Sequence, residues 1–175
     1  MIKNRKLDYV VSGTSYMRFS NPSVAKDETN SQIINMLIDK LVTDVHSHKF
    51  SMLYNAHTES SFGDRFTVYK PHVNEIHADS GGLQIVTQGM VITDELKDKV
   101  YENQAKWADV GMCFDEIPVI LTGGKSDRND TKARFFDFEN YEELARKTGR
   151  NVKRQLEIFD KAGSTCKPYI ILQGN

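Results

Sequence analysis

Three polar side chains each stand at the end of a short apolar run: Asp79 after Ile76-His77-Ala78, Asp115 after Met112-Cys113-Phe114, and Gln173 after Ile170-Ile171-Leu172. Two carboxylates and a primary amide suit general acid/base work combined with recognition of a flat ligand that carries both donors and acceptors. Asp79 runs into Ser80-Gly81-Gly82, and paired glycines directly after a strand imply close approach of the backbone to something. Taken singly, an Asp or Gln in such a place is ordinarily a turn former or a helix cap. The three acquire a joint meaning only if the fold brings their strand ends to one rim.

The elements that would do this can be read from the hydrophobic pattern. Short β-rich runs at Leu7–Val11, Phe50–Tyr54, Val73–Ala78, Val110–Phe114 and Pro168–Leu172 predict five strands. Segment 31–43 has Ile33, Ile34, Leu37, Ile38 and Leu41 at helical spacing, a helix packed on the sheet. Thr93, with Asp94 and Glu95 behind it, predicts the N-cap and first turn of a helix reaching about Trp107, with Leu96, Val100 and Trp107 on one face. A further helix from about Glu139 to Lys161 repeats Tyr141, Ala145, Thr148, Val152, Leu156 and Phe159 at spacings of three and four. Residues 122–138 are polar and turn-rich, a long excursion from the core.

Strands alternating with helices predict an α/β fold with a parallel sheet, whose active site lies at the C-terminal ends of the strands. A closed eight-stranded barrel takes roughly 250 residues, and the chain has 175. The expected fold is therefore a partial (β/α)8 TIM barrel with about five strands present and the C-terminal part missing, residues 1–175 forming the N-terminal portion of one barrel domain.

With 39% hydrophobic and 27% charged residues the composition is that of a folded globular protein and excludes a disordered or fibrous chain. The longest apolar runs are too short to span a bilayer, and no signal-peptide stretch follows Met1-Ile2-Lys3, so a cytoplasmic location is expected. Cys113 and Cys166 have neither metal-type nor disulfide-type spacing and are expected to be free thiols. The net charge of −1 removes any argument for nucleic-acid binding from bulk basicity, so such a surface would have to be a local patch.

The local strings around the three polar residues carry a resemblance. His77-Ala78-Asp79-Ser80-Gly81-Gly82-Leu83-Gln84 resembles the Asp-Ser-Gly-Gly-aromatic/apolar-Gln signature of the tRNA-guanine transglycosylase family. Cys113-Phe114-Asp115-Glu116-Ile117-Pro118 is similar to its Phe-Asp-Glu-x-x-Pro region, and Ile171-Leu172-Gln173-Gly174-Asn175 to its Val-Gln-Gly segment, in the family's order. The similarity runs from about residue 73 to the end.

The resemblance implies a TIM barrel that exchanges guanine in a nucleic acid for a 7-deazaguanine of the preQ0/preQ1 type, through a covalent enzyme–nucleotide intermediate. It implies Asp79 as the general acid/base, and Ser80, Gly81 and Gly82 as the turn that lets backbone approach the base. Asp115 would accept from guanine N1–H and the exocyclic amine, while Gln173 and the Gly174 backbone would donate to the O6 and N7 side. That division matches the donors and acceptors of guanine, and the base would have to leave any stack to be reached.

The family's covalent aspartate and its zinc-binding cysteine cluster would lie downstream of Asn175, so no metal site is expected within these residues and the chain is expected to be incomplete alone, joined by a C-terminal half or a second subunit. The first 70 residues do not resemble the usual start of the tRNA enzymes, and Leu83 stands where an aromatic is common. Both features favour the family's branch from phages and bacterial DNA-modification clusters, which acts on DNA, with tRNA as the other substrate. Two alternatives stay open: a non-catalytic accessory subunit, and an unrelated barrel enzyme acting on another glycosidic bond.

Other candidates carry less. His46-Ser47-His48 lacks the further ligands of a metal site, and Gly123-Gly124-Lys125-Ser126 lacks the upstream glycine of a phosphate loop. The stripe Lys147, Arg150, Arg154 and Lys161 is expected to be a solvated helix face.

Overall fold

The computed structural model describes residues 10–12, 36, 50–58, 70–82, 85, 90–116, 119–121, 134–136 and 139–171. The helix predicted over 31–43 lies outside the described residues except Met36, which is helical. The strands are β1 (Val10–Ser12), β2 (Ser51–Asn55), β3 (Ile76–Asp79), β4 (Val110–Met112), β5 (Val119–Leu121), β6 (Arg134–Phe136) and β7 (Lys167–Tyr169). Two long helices join them, α1 (Asp94–Trp107) between β3 and β4 and α2 (Tyr141–Lys161) between β6 and β7.

Five of the strands form one parallel sheet in the order β1-β2-β3-β4-β7. Each strand therefore joins the sheet beside its predecessor in that order, and the β5–β6 pair is an antiparallel hairpin outside it. Neither strand of this pair is among the five that the hydrophobic pattern predicts, and β6 falls within the segment 122–138 read as a turn-rich excursion. The mixed α/β class and the parallel sheet match the sequence reading, and no described helix is long and apolar enough to cross a membrane.

Alternation within the strands sorts their side chains onto two faces. Met52, Tyr54, Ile76 and Ala78 are all buried, and the register sets Met52 beside Ile76 and Tyr54 beside Ala78. This face lies under the helices: the Tyr54 hydroxyl donates to Asn103 Oδ1 of α1 at 2.8 Å. Full burial of a side chain such as Ile76 contributes about 2 kcal/mol. The opposite face carries Leu53, Asn55, His77 and Asp79, with Asn55 directly beside Asp79.

Thr93 caps α1 as expected, accepting from Leu96 N. Val100 and Phe159 are buried as the sequence reading expects, and the rest of each buried face differs from it. On α1 the buried residues are Val100, Tyr101, Asn103 and Gln104, with Leu96 and Trp107 only partly covered. On α2 they are Asn151, Gln155 and Phe159, whereas Leu156 is exposed. The reason is polar: these helices turn their amides toward the sheet to satisfy strand carbonyls, and a hydrophobic stripe alone does not reveal that demand.

Gln104, fully buried, donates from Nε2 to Ala78 O of β3 at 3.3 Å and to Met112 O of β4 at 2.8 Å. Its Oε1 accepts from Gln155 Nε2 at 2.8 Å, and the same Gln155 nitrogen donates to Gly111 O at 3.0 Å. Gly111 permits this approach, since a Cβ there would lie 2.8 Å from Gln104 Oε1 and 2.9 Å from Phe159 Cζ. At the other end of the sheet Asp109 joins β3, β4 and β7 through Ile76 N, Ile76 O and Lys167 N, all at 2.8–2.9 Å.

Gln104→Leu is expected to destabilise the fold by on the order of 3 kcal/mol, because two strand carbonyls and one Gln155 donor lose their partner in a buried setting. Urea unfolding followed by circular dichroism measures it, and a loss below about 1 kcal/mol would contradict the assignment.

Candidate active site

The C-terminal ends of β2, β3 and β4 bring the polar residues together. Asp79 is the last residue of β3 and faces away from the helices, beside Asn55 at the end of β2. Gly81 follows with φ of +75°, a region that favours glycine. A Cβ at Gly81 would sit 2.7 Å from Asn55 Oδ1 and 3.1 Å from His57 Cβ. The close approach inferred at this glycine is therefore made, at least in part, to the protein's own β2 end.

Asn55 is itself buried and its Oδ1 accepts from His57 N at 3.0 Å and Thr58 N at 3.1 Å, which fixes the turn leaving β2. Ser80 is buried, its Oγ accepting from Gly82 N at 3.4 Å. Gly82 packs against the Phe114 ring at ordinary contact distance. Ile85 N donates to Gly81 O at 3.0 Å, the spacing of a helical turn, and Gly82 is itself helical.

Asp115 lies three residues beyond β4, in a segment with no regular structure. Such a segment would wander unless its backbone groups found partners. They do: Cys113 N donates to Tyr169 O, Phe114 N donates to the Tyr101 hydroxyl at 3.1 Å, and Phe114 O accepts from Asn151 Nδ2 at 3.0 Å. Glu116 N then donates to Thr148 Oγ1 at 2.9 Å. The Tyr101 and Phe114 rings meet edge to face with centroids 5.7 Å apart. Asp115 is thus held between two residues fixed by α1 and α2.

The two carboxylates are close enough to act on one another. Burial raises the Asp79 pKa above its ordinary value; backbone donors at Gly81 and Ser80 oppose this, and the charge of Asp115 adds to it. Asp79 consequently keeps its proton to higher pH than an ordinary aspartate, the property of a general acid. Cys113 and Cys166 are buried free thiols, and burial pushes Cys166 up to about 12, so neither is an available nucleophile.

Of the residues singled out in the sequence, Asp79, Ser80, Gly81, Gly82 and Asp115 come together at one end of the sheet. Gln173 and Gly174 lie outside the described residues. Among the described residues no three His, Cys, Asp or Glu side chains could hold a metal ion. Sequence reasoning missed Asn55, although it ends β2 just as Asp79 ends β3, so the same signal would have found it. It also missed Glu116 and Asn151, whose roles depend on a helix meeting a loop.

The Asp79 shift has a consequence for stability. The folded state binds this proton more tightly than the unfolded chain, so the contribution is present below the unfolded pKa and is lost as pH rises through the raised folded value. Asp79→Asn is therefore expected to raise Tm at about pH 7, and the gain should vanish near pH 3, where the carboxyl is protonated in both states. Thermal melts at the two pH values check it; an equal gain at both would contradict the burial argument.

Comparison of the chain with protein-family models, with curated proteins and with solved structures finds no match.

Proposed function

We propose that the chain is the N-terminal part of a base-exchange transglycosylase, a pentosyltransferase that replaces guanine by a 7-deazaguanine in DNA or tRNA. The observation that carries the reading is the placement of Asp79 at the end of β3 and of Asp115 three residues past the neighbouring parallel strand β4, close enough that burial and the Asp115 charge together raise the Asp79 pKa. One carboxyl poised to give up a proton suits departure of a purine, which needs protonation as its glycosidic bond breaks. The second suits the donor edge of guanine.

The sheet supports the architecture this requires. Doubly wound sheets reverse their strand order and place helices on both faces, whereas these five strands follow one another in chain order and α1 and α2 lie side by side. A singly wound parallel sheet is the arrangement of a (β/α)8 barrel, and on this reading five barrel strands are present. Further strands, in the same chain or in a second polypeptide, would supply the covalent aspartate and the zinc site. An accessory subunit without catalysis would have no need of a buried aspartate beside a second carboxylate at the strand ends, which ranks that alternative lower.

The test is base exchange with radiolabelled guanine on DNA and on tRNA, using the chain together with the partner segment that completes the barrel. Asp79→Asn is expected to reduce exchange by about 100-fold or more, and Asp115→Ala to weaken guanine binding by about 1–3 kcal/mol. Full activity in Asp79→Asn would overturn the proposal.

A further inference from the structure

The two acidic residues that follow β4, Asp115 and Glu116, are neighbours in the chain but are held differently. Glu116 is bound from three directions. Its backbone N donates to Thr148 Oγ1 at 2.9 Å, its Oε1 accepts from Asn151 Nδ2 at 3.1 Å, and Lys97 Nζ lies 3.5 Å from that same oxygen. The Glu116 carboxylate is thereby fixed toward α1 and α2, its charge matched by a lysine whose side chain is only 11% exposed.

Asn151 is the centre of this arrangement. It is 5% exposed, and its amide serves three partners at once: Nδ2 donates to Phe114 O at 3.0 Å as well as to Glu116, and Oδ1 accepts from Lys97 Nζ at 2.7 Å. Phe114 precedes Asp115 and Glu116 follows it, so one side chain of α2 bonds to both neighbours of Asp115. Thr148 lies three residues before Asn151 on the same face of the helix and adds its hold on the Glu116 backbone, while the Tyr101 hydroxyl of α1 accepts from Phe114 N at 3.1 Å. The two helices are themselves joined by Arg154, which donates to Asp98 at 2.7 Å. A buried amide with all these partners resists movement, because any departure leaves a carbonyl, a carboxylate or an ammonium group unpaired.

We infer that Asn151, with Thr148 and Lys97, is a positioning device that turns Glu116 toward the helices and presents Asp115 to the site, so that one of two adjacent carboxylates is selected for the donor edge of guanine. The identity of the ligand rests on the proposed function, whereas the bracket around Asp115 does not. Recognition from irregular backbone requires the geometry to be set before the ligand arrives, and side chains of packed helices set it here. A single carboxylate can meet N1–H and the exocyclic amine together. A second acid swinging into the same place would bring a like charge against the first, and Lys97 and Asn151 prevent this.

The test follows the Asp79 carboxyl by carbon NMR across pH, together with calorimetric titration of the chain with guanine. The Asp115 charge raises the Asp79 pKa, so the Asp79 titration reports where Asp115 sits, and Asp115→Asn supplies the reference shift downward. Thr148→Val removes a hydroxyl at a half-buried position, Thr148→Ser keeps it, and Asn151→Leu removes every bond of the amide. In Thr148→Val and Asn151→Leu the Asp79 titration is expected to move down, in the direction of Asp115→Asn, and guanine affinity to fall about three- to tenfold, while Thr148→Ser keeps both. Loss of stability by itself moves neither readout. An Asp79 titration unchanged in Thr148→Val, with its fold verified by circular dichroism, would overturn the inference even if Asn151→Leu does not fold. If the titration falls in the variants but guanine fails to bind even the parent chain, the bracket stands and the base-exchange reading falls. If guanine binds the parent through Asp115 and the variants keep both its affinity and its titration, the base-exchange reading stands and the bracket falls.

Discussion

The amide of Gln104 is the interaction on which the candidate site depends. Strands β3 and β4 are paired by register over only two positions, His77 with Val110 and Ala78 with Gly111. Where that ladder stops, one buried side-chain nitrogen donates to a carbonyl on each strand. The two carbonyls lie immediately before Asp79 and three residues before Asp115, so a side chain of α1 sets how far apart the two acidic ends sit. Gln155 of α2 holds the acceptor end of that amide and also reaches Gly111 O, which ties both helices to the same point of the sheet. Every donor of the two amide groups is used, and buried amides without such partners would each cost about 1–3 kcal/mol.

From this clamp outward the molecule divides by end. At the N-terminal end of the sheet Asp109 binds its neighbours through backbone and side chain, with Lys70 Nζ 2.8 Å from its Oδ1, an arrangement that only stabilises. At the C-terminal end hydrogen bonds from α1 and α2 hold the irregular backbone that carries Asp115, beside the end of β3 that carries Asp79. Burying Asp79 there works against stability at neutral pH, because the charged form is penalised. A stable fold elsewhere can support a group whose usefulness lies in its reluctance to ionise.

The helices therefore have two duties on two sides. Their inner faces present Tyr101, Gln104, Asn151 and Gln155 to the sheet and the loop after β4. Their outer edges, near the same end, carry Lys147, Arg150 and Arg154, with Arg150 paired to Glu143 and Arg154 to Asp94 and Asp98. Polar residues at these contacts stand beside Val100, Tyr101 and Phe159 in the buried faces, which explains why only part of each stripe suggested by hydrophobic spacing is buried.

The sequence by itself determined the class of fold, most element positions and the acidic pair. Strand runs that alternate with helical ones leave few arrangements other than a parallel sheet, Thr93 caps its helix by a local hydrogen bond, and Asp79 and Asp115 follow apolar runs whose ends must lie on one side. Only the tertiary structure decided that Gly81 is required by Asn55, that Gln104 joins β3 to β4, and that Glu116 and Asn151 meet. Those facts depend on residues 26 to 35 positions apart or on turns packed against a distant strand. Local propensity reports what a segment prefers by itself, whereas a buried carbonyl accepts from whichever side chain the packing brings to it.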